Sequence, residues 1–295
     1  MTSAPAEQRV QAGDGHVFTL LAAHAAAPRA RLLWLPALGV AARHYLPFAE
    51  TLAAEGVDVH LHEWRGNGSS TLRAGRGSDW GYRALLEQDL PASLDAIDAA
   101  ATPLPLLIGG HSLGGQLACC LAGQHPRRFA ALWLVASGTP YWRSFPAPLR
   151  YALPLVYRFL PWLARRQGVL HGRRLGFGGN EARGLIHDWA RVGLLDRYAA
   201  QGMPQDLDAD MAACHAPLRG VVLDADWMAP ASSLRRLAAR MGTSDVSITR
   251  LDAAALGTRA DHFSWMKQPG AVARALLEDS DTAGSDAKKK FHKSD

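Results

Sequence analysis

The chain has 295 residues, of which 48% are hydrophobic and 20% are charged, a composition typical of a soluble globular protein. Its 32 basic and 27 acidic side chains leave a net charge of +5 at pH 7. The length suits one α/β domain with an insertion and excludes two large domains. The sequence has no apolar run of about 18 residues and no charged start followed by an apolar stretch, so we expect neither a transmembrane helix nor a signal peptide.

Three cysteines, Cys119, Cys120 and Cys214, bear on the compartment and on metal binding. Cys119 and Cys120 fall in a predicted helix, where we expect them to pack in the core. None of the three belongs to a spacing typical of metal ligands, so no metal site is predicted. So few cysteines favour a reducing compartment, and we expect a cytoplasmic protein.

Predicted strands and helices alternate from a β-rich N-terminus to about residue 138. Residues 32–35 form a short apolar strand, which the loop 36–40 follows, and residues 57–61 form a second strand before a glycine-containing turn. Short apolar strands that alternate with helices predict an α/β protein, in which a mostly parallel sheet carries helices on both faces.

Residues 110–114 have the sequence Gly-His-Ser-Leu-Gly, with Ser112 at the centre of a Gly-x-Ser-x-Gly pattern. An apolar strand at 104–108 precedes the pattern, and a predicted helix at 115–122 follows it. A serine on a sharp turn between a strand and a helix forms a nucleophile elbow, whose flanking glycines avoid collisions with neighbouring backbone. The motif alone occurs by chance in many proteins, but this setting favours Ser112 as a nucleophile at the carboxyl end of the sheet.

A serine hydroxyl is a weak nucleophile and needs a base, which is usually histidine. In a strand–turn–helix arrangement of this kind, the acid and then the base follow the serine along the chain. His262 follows the predicted strand 246–251 and precedes the last predicted helix, so we predict that it is the base. His215 lacks this setting, and the side chain of His111 is expected to point away from the nucleophile.

Two aspartates compete for the role of the acid. Asp224 and Asp226 both follow the strand-like run 218–223. A carboxylate at this position orients the histidine and stabilises the imidazolium that forms during catalysis. Alternation along an extended segment would point both side chains to the same side, so direction does not separate them.

Residues 139–212 interrupt the alternation, and we predict that they form a helical cap over the site. The charge of this insertion is uneven, because residues 139–180 contain arginines but no acidic residue. The arginines are interleaved with aromatic residues and are Arg143, Arg150, Arg158, Arg165, Arg166, Arg173 and Arg174. Pro154 and Pro161 predict two or three short helices rather than one.

Three interpretations of this cap remain open. In the first, its arginines are solvated and its aromatic residues pack on the core. In the second, the cap attracts an anionic substrate, such as a fatty acyl group on coenzyme A, on a carrier protein or on a phospholipid. In the third, the cap rests on an anionic membrane. No nucleic-acid-binding motif accompanies the charge, so nucleic acid is not expected as a partner.

These features resemble those of α/β-hydrolases of the serine-hydrolase type over residues 10–278, and the chain is similar to bacterial members near the serine aminopeptidases and monoglyceride lipases. In that family the acid often lies in an Asp-x-x-x-Pro turn, which residues 226–230 match. The resemblance therefore favours Asp226 as the acid and leaves Asp224 in reserve. His262 lies in an Asp-His-Phe sequence that resembles the family's Gly-His-Phe turn around the base.

The resemblance implies an α/β-hydrolase core built from residues 1–138 and 213–279, with the helical cap of residues 139–212 inserted between them. Residues 280–295 are polar and lysine-rich, so we expect a disordered basic tail. Glu63 opens a turn that resembles the family's Asp-x-Arg-Gly-x-Gly-x-Ser turn, whose role is structural.

An oxyanion hole requires two backbone N–H groups, and one of them is expected from Leu113, directly after the nucleophile. The resemblance implies that Leu38, in the loop after the strand 32–35, supplies the other. Pro36 and Ala37 stand where the family often has a His-Gly pair. Because the donor belongs to the main chain, this replacement does not remove it.

We therefore expect a serine hydrolase that acts by two-step acyl transfer, with no cofactor and no metal. The apolar residues of the cap favour a small-molecule ester or thioester with an apolar acyl group. A peptidase or amidase is the second expectation, but it needs an acidic site for an amino group, and the acids of the cap lie at its far end. A binding protein that keeps the triad but turns over slowly is the third.

Overall fold

The computed structural model of the protein describes residues 5–99, 103–175 and 178–278, so the predicted tail at 280–295 lies outside the described residues. The strands of the described part are β1 (Ala6–Gln11), β2 (Val17–Ala23), β3 (Ala30–Leu35), β4 (Val57–Leu61), β5 (Leu106–His111), β6 (Leu132–Val135), β7 (Leu170–His171), β8 (Asn180–Glu181), β9 (Leu218–Leu223) and β10 (Val246–Leu251). Eight of them form one sheet in the order β1-β2-β4-β3-β5-β6-β9-β10, and β7 pairs with β8 separately.

The helices of the described residues are α1 (Leu46–Ala54), α2 (Tyr82–Ala84), α3 (Leu90–Asp98), α4 (Leu113–Gln124), α5 (Leu149–Gln167), α6 (Arg183–Leu195), α7 (Leu207–Ala213), α8 (Ala231–Ala238), α9 (Ala253–Leu256) and α10 (residues 270–278). A wider helical turn, Leu85–Asp89, joins α2 to α3. None of the helices among these residues combines the length and apolar character that crossing a bilayer requires.

Parallel pairing in the middle of the sheet brings the predicted site residues to one edge. Strands β3, β5, β6 and β9 pair in parallel, and β5, β6 and β9 are buried on both faces, which explains their apolar sequences. In this register Gly110 lies between Leu35 of β3 and Leu134 of β6. The predicted α/β fold with a mostly parallel sheet is therefore confirmed, with antiparallel pairing at the β1–β2 end.

Helix α4 is buried from Leu113 to Gly123. Cys119 and Cys120 lie on it and are fully buried, as expected from the sequence, and burial raises the pKa of both thiols. Cys214 is also buried, and none of these three thiols forms a disulfide.

The insertion between β6 and β9 contains α5, α6 and the β7–β8 hairpin, which lie over the carboxyl edge of the sheet. We call these three elements the cap and the large sheet with its other helices the body. The carboxylate of Asp188 in α6 accepts a hydrogen bond from the backbone N–H of Tyr82 in α2, with an N–O distance of 2.9 Å. The hydroxyl of Tyr157 in α5 donates to the carbonyl oxygen of Pro140. Helix α7 packs against α4 of the body, so α5, α6 and the hairpin are the part of the insertion that faces the site.

The prediction of two or three short helices around Pro154 and Pro161 is wrong, because α5 is a single helix of 19 residues. A proline in a helix removes one N–H donor and costs about 3 kcal/mol. The inner face of α5 buries Leu153, Tyr157 and Leu160, and burial of a large apolar side chain contributes about 1.5–3 kcal/mol. Burial of this face therefore outweighs the local tendency of the prolines to break the helix.

A buried ion cluster joins the β1–β2 turn to the loop after β4 and to the turn before α3. The fully buried carboxylate of Asp89 accepts two hydrogen bonds from the guanidinium of Arg65, at 2.6 and 2.8 Å. Nδ1 of His16 lies 2.9 Å from the same carboxylate. Arg65 also pairs with Asp14, at 2.7 Å. One carboxylate therefore connects three segments that are distant in sequence.

We predict that Asp89→Asn lowers the free energy of unfolding by about 3–5 kcal/mol, because it leaves the buried guanidinium of Arg65 with Asp14 as its remaining acidic partner. Urea unfolding followed by circular dichroism measures the change. Asp98→Asn is the matched control, since Asp98 pairs with Arg128 at the surface, where an ion pair contributes about 0–1 kcal/mol. Equal losses in the two variants would contradict the structural role of this cluster.

Candidate active site

Ser112 occupies the sharp turn between β5 and α4. Its backbone has φ 56° and ψ −120°. Residues other than glycine rarely adopt this conformation, and the surrounding packing maintains it. Glycine is required on both sides of it. A Cβ at Gly110 would lie 2.4 Å from the backbone of Gly114, and a Cβ at Gly114 would lie 2.0 Å from the carbonyl oxygen of Leu35. These contacts give the turn the geometry expected of a nucleophile elbow.

Two backbone N–H groups near Ser112 are available to hold a negatively charged oxygen. Leu113 is the first residue of α4, so its N–H has no acceptor within the helix. In the loop after β3, the N–H of Ala37 donates to the hydroxyl of Tyr45 at 2.9 Å, whereas the N–H of Leu38 has no hydrogen-bond acceptor among the residues described. The N–H groups of Leu113 and Leu38 are therefore free to bind an oxyanion, and their role as the oxyanion hole stays a prediction.

The cap holds this loop from the other side. Gly39 has φ 72°, and a Cβ there would lie 2.1 Å from the backbone nitrogen of Gly179 beside β8. The carboxylate of Glu181 accepts a hydrogen bond from the N–H of Gly179 at 2.6 Å. Burial raises the pKa of Glu181 to about 7. Sequence reasoning missed this carboxylate, because nothing in its local sequence marks it as a neighbour of a loop more than a hundred residues earlier.

His262 and Asp226 form a buried pair. Nδ1 of His262 lies 2.7 Å from Oδ2 of Asp226, and both side chains are almost completely buried. The other carboxylate oxygen, Oδ1, accepts hydrogen bonds from the N–H groups of Met228 at 2.9 Å and Ala229 at 3.2 Å. A carboxylate held by two backbone donors accepts the Nδ1 proton, which leaves Nε2 of the imidazole to act on a substrate or on the serine.

Asp224, the reserve acid, lies elsewhere. It forms an ion pair with Arg250 at the surface, and the chain turns directly after β9, where the N–H of Asp226 donates to the carbonyl oxygen of Leu223 at 3.0 Å. The expectation that both aspartates point to the same side is therefore wrong, because the extended segment ends before either of them. His215 likewise lies apart from the pair, with Nδ1 2.6 Å from the carbonyl oxygen of Gly242.

His111 points away from the nucleophile, as predicted, and joins a hydrogen-bond chain. Nδ1 of His111 lies 2.8 Å from the hydroxyl of Tyr45. Because that hydroxyl accepts from the N–H of Ala37, it donates its own proton to His111. Burial keeps the pKa of His111 well below its ordinary value, so the ring is neutral. Its ring centroid lies 4.7 Å from that of His262, so this chain links the loop of Leu38 to His262.

The hydroxyl of Ser112 has no hydrogen-bond partner within the described part of the chain. Hydrogen bonds between a catalytic serine and its base are often long or absent without substrate and tighten when substrate binds. The position of the His262 ring against His111, the residue before the serine, keeps the imidazole at the elbow. Substrate binding is therefore expected to bring the hydroxyl and Nε2 together.

An apolar cavity of about 380 Å³ opens between the serine and the cap. Its size lies within the range of small-molecule sites. The body contributes Leu38, Ser112, Leu113, Gln116, Ala136 and Met228, and the cap contributes Leu149, Leu153, Val156, Tyr157, Phe159 and Leu160, among others. A second cavity of about 390 Å³ lies on the side of His262 and is more polar, with Arg259 and Lys267 in its wall. Ser112 lines the apolar cavity and His262 lines the polar one.

Comparisons with known proteins agree with this geometry. A family model described as serine aminopeptidase, S33, matches residues 26–255, which include Ser112 and Asp226. A Schizosaccharomyces pombe protein that carries the name of a monoglyceride lipase is 32% identical over 143 residues. That match covers 45% of this chain and only 36% of the relative, so the chain spans about a third of that protein's length.

Solved structures share the fold at low sequence identity. A hydrolase from Pseudomonas aeruginosa is 20% identical with a TM-score of 0.59, over 94% of this chain and 98% of that one. A thermophilic esterase from Thermogutta terrifontis is 17% identical with a TM-score of 0.58, over 94% of this chain and 97% of that one. Together with the family match, these structures identify the fold as that of the α/β-hydrolases.

We predict that the buried carboxyl of Glu181 makes stability depend on pH. Its pKa is about 7 in the folded protein against 4.5 ordinarily, so between these values the folded state binds more protons than the unfolded state. The stabilising contribution is full below about pH 4.5 and is lost as the pH rises to about 7. Glu181→Gln keeps the acceptor for Gly179 and removes the charge, so it should raise the free energy of unfolding at pH 8 by up to roughly 3 kcal/mol.

The same variant should match the wild type to within about 0.5 kcal/mol at about pH 4.5, where the carboxyl is protonated in the folded state and half protonated in the unfolded state. Urea unfolding at the two pH values measures the difference. Glu87→Gln serves as the control, because Glu87 lies near the surface beside Arg83. Parallel pH curves for the wild type and Glu181→Gln would show that the buried carboxyl does not titrate in this range.

Proposed function

Because the chain belongs to the serine aminopeptidase S33 family of α/β-hydrolases, we propose that it is a serine hydrolase that cleaves a carboxylic ester or thioester with an apolar acyl group. The observation that carries the proposal is the position of Ser112. The serine lines an apolar cavity together with Leu38 and Leu113. The ring of His262, which pairs with Asp226, lies 4.7 Å from the ring of His111, the residue before the serine.

In the proposed mechanism, Nε2 of His262 takes the proton of the Ser112 hydroxyl as the oxygen attacks the acyl carbon. Asp226 stabilises the imidazolium through Nδ1. The N–H groups of Leu113 and Leu38 hold the oxyanion, and each such donor contributes about 2.7–4 kcal/mol to the transition state. The imidazolium protonates the departing alkoxide or thiolate, which leaves as the alcohol or thiol. His262 then deprotonates a water molecule that attacks the acyl-enzyme, and it returns this proton to the Ser112 oxygen as the carboxylic acid leaves.

The acyl group is proposed to lie in the apolar cavity under the cap. Leu149, Leu153 and Phe159 of α5 line this cavity, and their side chains offer dispersion contacts but no hydrogen bonds to a substrate. The leaving group then lies on the side of His262, where the wall is more polar. That wall carries Lys267 and the ion pair of Arg259 with Asp261, so it suits a polar leaving group.

A peptidase or amidase on the same triad is the second candidate. The name of the family supports it, but an aminopeptidase needs a carboxylate to bind the amino group of its substrate. Among the residues lining the apolar cavity there is no Asp or Glu. In the cap, Glu181 and Asp188 are hydrogen-bonded to backbone N–H groups, and Asp208 pairs with Arg240. The ester or thioester reading is therefore favoured.

A hydrolase-like binding protein with slow turnover is the third candidate, and only turnover measurements separate it from an enzyme.

We propose a cytoplasmic location for the protein. Cys119, Cys120 and Cys214 are all reduced, which is the state expected in a reducing compartment.

The test is a panel of p-nitrophenyl acetate, butyrate and octanoate, an octanoyl thioester and an aminoacyl p-nitroanilide. We expect kcat/KM for octanoate to exceed that for acetate by at least about 10-fold. The longer acyl chain adds methylenes to the apolar cavity, and each of them contributes up to about 1–3 kcal/mol. Leu149→Trp, which fills part of the cavity, should lower kcat/KM for octanoate by roughly 10-fold or more and leave acetate within about threefold.

Leu155→Trp is the matched control, because Leu155 lies on the same helix but is 70% exposed. Ser112→Ala should abolish turnover of every substrate. Faster cleavage of the aminoacyl amide than of any ester would favour the peptidase. Wild-type turnover equal to that of Ser112→Ala would favour the binding protein.

A further inference from the structure

Helix α5 carries large apolar side chains on its outer face as well as its inner one. Tyr151 is 69% exposed, Leu155 70%, and Phe159 and Trp162 50% each. The steps of four, four and three residues place these side chains on one face of the helix. We call this set the α5 outer stripe. A contiguous apolar surface of this kind on the outside of a domain is typical of an interaction site rather than of a solvated face.

The charge around the stripe has one sign. Arg158, Arg165 and Arg166 lie on the exposed side of the same helix, and residues 139–180 contain no acidic side chain. No carboxylate of the described residues pairs with any of these three arginines. An exposed apolar stripe flanked by unpaired arginines complements the headgroups of anionic lipids, with the apolar residues at the depth of the upper acyl chains.

The stripe is continuous with the opening of the apolar cavity. Phe159 belongs to the stripe and also lines the cavity above Ser112. Val156, on the same helix, lines the cavity as well. Two further lining residues, Leu175 and Trp227, are 48% and 64% exposed. An acyl chain that enters from a bilayer pressed against α5 would therefore meet apolar side chains along its path.

We propose that the α5 outer stripe docks the protein on the surface of an anionic phospholipid bilayer, with α5 lying in the plane of the interface. An acyl chain would then pass from the bilayer into the cavity without crossing water. This route rests on the proposed function, whereas the docking itself does not. An acidic carrier protein would satisfy the arginines, but exposed tryptophan and tyrosine rings at the boundary favour a lipid interface.

The test is flotation of the full chain with vesicles of phosphatidylcholine alone and with about 30% phosphatidylglycerol, at about 50 and 500 mM salt. We expect at least about 30-fold stronger partitioning onto the anionic vesicles at low salt, since two basic residues at about fivefold each already contribute that much. The double variant Arg158→Gln/Arg165→Gln should weaken that partitioning by about 30-fold, since each basic residue at such a surface contributes about fivefold. It should also weaken the dependence on salt.

The double variant Leu155→Ser/Trp162→Ser should lose partitioning by 10-fold or more, because it removes the stripe's apolar contact. Leu195→Ser is the matched control. Leu195 is 63% exposed but lies at the end of α6 beside Asp196, which pairs with Arg236 and Arg240 of the body. The control should bind vesicles within about twofold of the wild type.

Equal partitioning onto neutral and anionic vesicles at low salt would overturn the proposal, as would binding to an acidic carrier protein without binding to vesicles. Hydrolysis of p-nitrophenyl acetate in solution is measured on every variant and should stay unchanged, because none of the substituted residues lines the cavity. Turnover without vesicle binding overturns only the docking. Vesicle binding without turnover supports the docking and overturns the proposed function.

Discussion

The site depends on one close backbone contact, between the first turn of α4 and the end of β3. At Gly114 there is no room for a Cβ beside the carbonyl oxygen of Leu35, so only glycine lets the helix approach the strand. That approach bends the chain at Ser112 into a positive-φ turn and sets the N–H of Leu113 beside the loop that carries Leu38. Packing of the surrounding sheet and helix keeps the turn in this strained conformation. The position of Ser112 and that of the Leu113 N–H group therefore share one structural cause.

The loop after β3 is held from two sides, and this explains how the body and the cap cooperate. Tyr45 and His111 fix its inner side through a hydrogen-bond chain, and Gly179 packs against Gly39 on its outer side. The sequence predicted the sharp turn at Ser112 and the parallel strand ends, because both are encoded in short local patterns. It did not predict Tyr45, since that contact depends on where α1 packs. It separated the two aspartates only through resemblance, because the turn after β9 is a tertiary feature.

Helix α5 lies between the apolar cavity and the outside of the protein. Its inner face supplies apolar side chains to the cavity, and its outer face leaves Leu155 and Trp162 in solvent. The sequence predicted the mixture of arginine and aromatic residues but not which of them face outward, and it placed helix breaks at Pro154 and Pro161. Propensity is a local preference, and burial of one whole helix face outweighs it. Because the helix is unbroken, its inner face lines the cavity while its outer face presents a continuous stripe, and Phe159 belongs to both.

The most direct measurement for the central claim is labelling with a fluorophosphonate probe, followed by mass spectrometry of the labelled peptide. The account predicts a single adduct on Ser112, no adduct in Ser112→Ala, and labelling slowed by at least about 100-fold in His262→Ala and Asp226→Asn. Asp224→Asn should label within about threefold of the wild type, since Asp224 pairs with Arg250 instead. A wild type that does not label, or an Asp226→Asn variant that labels like the wild type, would contradict the account.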